Sequence, residues 1–260
     1  MWGFLLKVDN LSRVYMVSDP QAKTVPAAHT VLAVVFQVRA GRLEVLLWER
    51  ALEPCAGCWS LPGGELAPDE TLEESIRRHL AAKVDVRELS HIEQLETLSE
   101  PDRSPIRREL ATAYLGLVPS DVDPALPADT RWYPVDKLPK LAFDHGRVVL
   151  AGRERLRAKL SYTNAGFALA PETFTLSELR DHYRAALGHD VSATNLQRVL
   201  VRRRLLVPMG SRRESGPNGG RPAAVYRFER RELQITDQFA VLRPQRASTP
   251  PAERPRRGRA

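Results

Sequence analysis

Cysteine is scarce in this chain: two residues, Cys55 and Cys58, among 260. They make a single Cys-x-x-Cys, and no second ligand pair follows at the spacing of a zinc site. The pair is therefore read as a coincidence of its loop, ahead of a redox or metal role. Long apolar runs are missing as well. The opening Met1-Trp-Gly-Phe-Leu-Leu-Lys-Val8 is too short to span a bilayer and is broken at once by Asp9 and Asn10, with no cleavage-like site after it. A cytoplasmic protein without a membrane partner is expected. The length leaves room for two domains, each with its own core.

Charge is unevenly spread. The net formal charge is +7, and residues 198–230 carry nine arginines (198, 202, 203, 204, 212, 213, 221, 227 and 230) against Glu214 and Glu229. That segment accounts for the whole excess, so a polyanionic partner is expected for it and not for the rest of the chain.

The chain is organised around Leu61-Pro-Gly-Gly-Glu-Leu-Ala-Pro-Asp-Glu70 and the helix expected over residues 71–83. Gly64, Glu70, Arg78 and Leu80 follow the spacing of the Nudix box: glycine, five residues, glutamate, seven residues, Arg-Glu, an apolar residue, one residue, Glu-Glu. At the three positions where that family carries glutamates, this chain has His79, Ala82 and Lys83. Those positions lie at i, i+3 and i+4 and share one helix face. In a working Nudix enzyme the face holds Mg²⁺ through hard anionic oxygens, which alanine lacks and lysine repels. One reading makes the helix plain scaffold. The sharper one has Lys83 supply the positive charge that a metal supplied, so that a diphosphate is bound without being cleaved. The first-turn acids Glu73 and Glu74 suit the helix dipole, and a solvated face is sufficient to account for them.

Upstream, the run over residues 31–38 after Thr30 is β-rich, Ala40-Gly41 turns, and residues 43–49 alternate as a returning strand. The following loop carries Arg50 and Trp59 ahead of Gly63 and Gly64. In Nudix proteins this loop borders the substrate pocket, where paired glycines let backbone amides approach a phosphate; a tight turn is the plainer account of both glycines. Downstream come a strand from Ile92, a loop holding Arg103, Arg107 and Arg108, and a strand over residues 109–118. These arginines are either loop solubilisers or phosphate and ribose contacts. Residues 132–139 read as closing strand and turn, and Asp144 as the N-cap of a helix over residues 145–159.

After residue 162 a new pattern begins. Thr175 and Glu178 form a capping box ahead of an amphipathic helix that stops at Gly188, and a second helix starts at Ser192. That second helix turns Leu196, Val199 and Leu200 inward and Thr194, Asn195, Arg198 and Arg202 outward. Two strands joined by a basic loop complete the helix, turn, helix, hairpin order of a winged helix. Asn195 suits adenine and Arg198 guanine in the major groove, Arg203 adds to the basic face, and Arg212, Arg213 and Arg221 on the wing suit phosphates. A solvated basic helix in a protein-docking module is the competing account.

The order of the broken box, the Glu-Gln-Leu and Pro-Asp-Arg-Ser-Pro stretches (residues 93–95 and 101–105), Leu-Ala-Phe-Asp-His (141–145) and the winged helix resembles the Nudix-related transcriptional regulators of NAD metabolism. The resemblance covers residues 31–228 and leaves the N-terminal extension and the tail after Arg243 unmatched. It implies an α/β fold, a Nudix-like α/β/α sandwich with a mixed sheet followed by a C-terminal winged-helix domain. It also implies a homodimeric repressor on a palindromic operator near NAD-biosynthesis or salvage genes. An ADP-ribose-type effector would lie in a pocket whose candidate contacts are Arg50, Trp59, Gly63, Gly64, Lys83, Arg103 and Arg108. No metal, cofactor or catalytic residue is expected. Boundaries are set at 1–28 for an extension that is either a leader or a short strand over 11–17, 29–160 for the effector domain, 161–232 for the winged helix, and 233–260 for a C-terminal segment with a disordered basic tail. The alternative is a divergent Mg²⁺-dependent ADP-ribose hydrolase using His79 with Glu70, Glu73 or Glu74.

Overall fold

The computed structural model describes residues 26–214 and 222–237. The N-terminal extension to residue 25, Arg221 in the wing and the tail from residue 238 lie outside the described residues.

The first long strand explains the architecture. In β1 (Ala28–Arg39) residues 31–38 are all buried, because both faces of the strand are covered. That is why its sequence is a continuous apolar run and not an alternation. Val31, Ala33 and Val35 point to one side, where they pack with Ile76, Leu80 and Val84. Leu32, Val34 and Phe36 point to the other, against Val148, Val149 and Leu156. The one polar member of the run, Gln37, is fully buried and donates from Nε2 to the carbonyls of Pro119 and Val122, each at 2.6 Å. Buried polar groups need such partners.

Around β1, the strands β2 (Arg42–Glu49), β3 (Trp59–Ser60), β4 (Gly63–Glu65), β5 (His91–Leu98), β6 (Glu109–Leu117) and β7 (Thr130–Pro134) complete, among the described residues, a seven-stranded sheet. The main path runs β3-β2-β1-β6-β5, with β4 paired to β1 and β7 to β2. The β1–β6 pair is parallel and the remaining pairs are antiparallel. One face carries α1 (Leu72–Val84) and the other α2 (His145–Tyr162), the mixed-sheet sandwich expected.

Beyond a short 3-10 turn (Ala165–Ala168) lie β8 (Phe174–Thr175), α3 (Leu176–Leu187), α4 (Ala193–Arg202), β9 (Leu206–Arg213) and β10 (Ala223–Phe228). The second sheet runs β8-β10-β9. The capping box of Thr175 and Glu178 is formed, and Gly188 ends α3 in the left-handed region at φ 75. The apolar cluster on the α2 face continues without interruption into this second part, through Phe167, Phe174, Leu179, Leu196, Leu200 and Phe228. The two parts therefore share one core.

Three expectations are corrected. Asp144 makes no side-chain cap on α2, because its carboxylate is engaged by Arg103. Helix α2 runs three residues past Lys159, to Tyr162. Glu74 is more than a solvated acid: with Thr71 it closes a capping box on α1. Residues 233–237, assigned to the C-terminal segment, double back onto the end of α2. Gln234 N donates to Asn164 Oδ1 at 2.7 Å and Thr236 N to the Tyr162 carbonyl at 2.8 Å. No helix among the described residues is long and apolar enough to cross a membrane.

Two glycines of α2 give a paired test of its seat. A Cβ on Gly152 would lie 2.9 Å from Val34 Cγ1, whereas one on Gly146 would meet nothing closer than Leu141 Cδ1 at 3.9 Å. Alanine is the better helix former by up to about 1 kcal/mol, but overpacking a core costs about 1–3 kcal/mol. Gly152→Ala is expected to lower, and Gly146→Ala to hold or raise, the free energy of urea unfolding.

Candidate functional site

Ends of β1, β2 and β4, the loops after β2 and β5, and the start of α2 converge on a cavity of ≈ 270 Å³. Among the described residues, four cations face it: Arg50, Lys83, Arg103 and Arg107. Arg103 is the anchor. Its side chain is 4% exposed, and it bonds Glu109 at 2.7 Å and Asp144 at 3.1 Å, tying the arginine loop to β6 and to the start of α2. Arg107 pairs with Glu65 across the mouth.

The other two cations have no carboxylate partner among the described residues. Lys83 Nζ donates to the Gly63 carbonyl at 2.7 Å and lies 4.8 Å from the centroid of the Trp48 ring. Burial, with Arg50 and Arg78 nearby, lowers its pKa from the ordinary lysine value. Arg50 Nε donates to the Pro54 carbonyl at 3.1 Å, and its guanidinium stands 5.0 Å from the ring of Phe143. A compact anion entering this space meets unneutralised positive charge in a partly desolvated setting, where Coulombic attraction is stronger than in water.

The acids and the histidine of the box helix and its entry are engaged elsewhere. Glu70 accepts Arg78 Nε at 2.8 Å and the Ala67 amide at 2.7 Å, and the Arg78 bond above all draws its pKa down to about 2. His79 is buried with Nε2 3.0 Å from the Glu65 carbonyl, and burial lowers its pKa. Glu73 is paired with Arg77, Glu74 caps the helix, and Ala82 is exposed. Among the described residues no group of three His, Cys, Asp or Glu side chains converges to hold a metal ion. The donor set present does not fit the Mg²⁺ of a Nudix hydrolase, which needs several oxygen ligands at once.

The glycines serve packing. A Cβ on Gly63 would sit 2.0 Å from the Val31 carbonyl, and one on Gly64 2.3 Å from the His79 ring. Two expected contacts are displaced. Trp59 turns away from the cavity and packs edge-on against Tyr133 at 4.8 Å, while Trp48 supplies the aromatic wall. Arg108 donates to the Glu100 carbonyl at 2.9 Å and does not line the cavity, whereas its neighbour Arg107 does. Phe143 and His145, which the sequence marks only as part of the 141–145 stretch, also line it.

On the winged helix, α4 is capped by Ser192 and buries Leu196 and Leu200. Thr194, Asn195, Gln197, Arg198 and Arg202 are exposed, and Arg198 Nη2 donates to Asn195 Oδ1 at 2.8 Å. Arg203 is not on that face. Its side chain is 10% exposed and is held by the Ser161 carbonyl at 3.0 Å and Asp237 at 3.1 Å. Arg213 is taken by Glu178 at 2.6 Å, while Arg212 stays exposed on the wing.

His145 offers a pH test. Its Nδ1 accepts the Leu61 amide at 3.0 Å, and burial draws its pKa down to about 4. The folded value lies below the unfolded value of about 6.5, so its contribution is complete above that pH and is lost as pH falls toward 4. The slope is at most about 1.4 kcal/mol per pH unit. Urea unfolding free energy is expected to fall between about pH 6.5 and pH 4, and His145→Asn, which keeps an acceptor for Leu61, to flatten that fall.

A Nudix domain model matches residues 28–151, and a model of the NrtR DNA-binding winged helix domain matches residues 166–228. The ADPR responsive transcriptional repressor NtrR of Acinetobacter baylyi is 31% identical over 211 residues, covering 76% of this chain and 81% of that protein. The crystal structure of Shewanella oneidensis NrtR complexed with a 27mer DNA is 34% identical, covers 77% of this chain and 93% of that one, and superposes with a TM-score of 0.66. An ADP-ribose pyrophosphatase of Methanocaldococcus jannaschii is 30% identical over 112 residues, 41% of this chain and 63% of that protein. With both domain models in order and a relative matched over most of its length, this chain belongs to the NrtR family, a Nudix domain continued by a winged-helix domain.

Proposed function

We propose that the chain is a DNA-binding transcriptional repressor of NAD-biosynthesis or salvage genes, whose Nudix cavity takes ADP-ribose or a related NAD-derived nucleotide and does not hydrolyse it. The observation that carries this reading is the cation-lined cavity, in which Lys83, at a position where a Nudix hydrolase carries a glutamate, and Arg50 have no carboxylate partner among the described residues. A diphosphate is the complementary ligand, and Lys83 can meet it without a metal. Residues 29–160 form the effector-binding part and 161–232 the DNA-binding part, working as a homodimer in which two copies of α4 enter half-sites of a palindromic operator. Thr194, Asn195, Arg198 and Arg202 face the groove, and Arg212 and Arg221 face phosphates. Arg203 and Arg213 instead brace the fold.

A ligand displaces DNA only by binding the DNA-incompetent arrangement more tightly, and DNA must then weaken the ligand by the same factor. Anisotropy of a labelled duplex from the promoter beside its own gene, titrated with ADP-ribose, tests this. Saturable release of the duplex is expected. Arg198→Glu should weaken operator binding by about ten- to a hundredfold and leave ADP-ribose affinity unchanged. Lys83→Glu should leave effector-free operator binding intact and raise the ADP-ribose concentration for release at least roughly tenfold. Mg²⁺-dependent turnover of ADP-ribose at ordinary enzyme rates overturns the reading in favour of a hydrolase.

A further inference from the structure

The loop between β2 and β3 holds Arg50 at the cavity by three bonds. Arg50 N donates to the Cys58 carbonyl at 3.0 Å, Gly57 N donates to the Arg50 carbonyl at 2.8 Å, and Arg50 Nε donates to the Pro54 carbonyl at 3.1 Å. The residues that fix Arg50 are thus 54, 57 and 58. Within that same stretch Cys55 and Cys58 are joined by a disulfide, and Cys58 N donates to the Cys55 carbonyl at 3.1 Å. The covalent tie closes the segment that seats the cation. The pairing also revises the sequence reading, in which the two cysteines were a coincidence.

The bond is reachable. Cys55 is half-buried, and Ala51, Leu52, Glu53, Ala56 and Gly57 around it are exposed, whereas Cys58 is 8% exposed. The chain has no third cysteine with which to exchange. A protein that works on DNA works where thiols are generally kept reduced, and disulfides formed there are mostly transient and redox-sensing. Arg50 in turn matters to the cavity floor, since its charge bears on both Lys83 and His145.

We propose that Cys55 and Cys58 are a redox-modification site for peroxide-class two-electron oxidants, and that the disulfide form, by fixing Arg50, binds the anionic effector more tightly than the dithiol form. This rests on the reading of the cavity as the effector site. In the forward step the Cys55 thiol attacks one peroxide oxygen: an S–O bond forms, the O–O bond breaks, and one water leaves. The Cys58 thiol then attacks the sulfenic sulfur, the S–S bond forms, and the hydroxyl departs as a second water. The two thiols give up two electrons and two protons, and hydrogen peroxide is reduced to two waters. A dithiol reductant reverses the change. The physical effect is preorganisation: a rigid loop loses less freedom when the anion binds than an open one.

The test uses the full chain, reduced with dithiothreitol or oxidised with hydrogen peroxide, the state checked by thiol titration and intact mass. ADP-ribose affinity is measured by calorimetry, and loop closure independently by the rate of tryptic cleavage after Arg50. The oxidised protein is expected to bind about tenfold tighter and to be cleaved more slowly there. The double variant Cys55→Ser, Cys58→Ser is expected to match the reduced protein under both conditions. Equal affinity and equal cleavage in the two wild-type states overturn the inference while leaving the proposed function intact, as does a double variant that still responds to peroxide. Redox-dependent cleavage after Arg50 without ADP-ribose binding in either state supports the loop site and overturns the choice of effector.

Discussion

The buried guanidinium of Arg103 joins parts of the molecule that would otherwise move apart. It reaches Glu109 at the start of β6 and Asp144 just ahead of α2, from a loop with little regular structure of its own. Such a group is costly to desolvate and is tolerated only when its charge and donors are met, so the three residues constrain one another's positions. The cavity wall and the start of α2 are consequently one unit. Because α2 has 18 residues, its other end lies about 27 Å from that unit. There its last turn meets Arg203 and the strap of residues 233–237.

That geometry gives the proposed coupling a physical carrier. Asp144 and His145 at one end of α2 touch the cavity network, and the Ser161 and Tyr162 carbonyls at the other accept bonds from Arg203 and from residues 236 and 237. Arg203 follows directly on α4, the helix assigned to DNA. A displacement of α2 would therefore be felt at both ends. The shared core resists bending along the way, since Val148, Val149 and Leu156 belong to the one apolar cluster that runs from the sheet into the winged helix. Packed elements of this kind shift between discrete arrangements and do not deform continuously.

Much of this was legible in the sequence because the signals are local. Strand β1 declares itself by a buried run, α1 by the spacing of the altered box and α3 by its capping box, and α3 ends at Gly188 because a left-handed residue is needed there. The altered box positions could be read from spacing alone, since a helix fixes which residues share a face. The misplaced contacts failed for identifiable reasons. Trp59 and Ser60 are neighbours on a strand and so point to opposite sides, and the cavity received Ser60. Arg107 and Arg108 lie in the loop ahead of β6, where no strand alternation fixes a side, and the choice between them depended on Glu100 and Glu65, which the fold brings near. Arg213 was lost to Glu178, a partner 35 residues away that no periodicity reveals.

Arg203 is the instructive exception, because the signal was present. Leu196, Leu200 and Arg203 are spaced by four and three residues, which continues the buried stripe of α4. An arginine on that stripe must find partners inside, and the Ser161 carbonyl and Asp237 supply them. The counting of arginines as a DNA-facing cluster concealed this, since net charge carries no direction. Of the α4 residues assigned to DNA, those exposed are a narrower set, Thr194, Asn195, Arg198 and Arg202, with Arg198 and Asn195 already bonded to each other. That mutual bond holds both side chains in defined positions at the start of the helix. Reading bases would require it to open, so a bond from either side chain to a base edge must outweigh the one it replaces. On the proposed function, specificity at these two positions would be a difference between bonds of similar strength, whereas arginine contacts to phosphates would set the overall affinity and its dependence on salt.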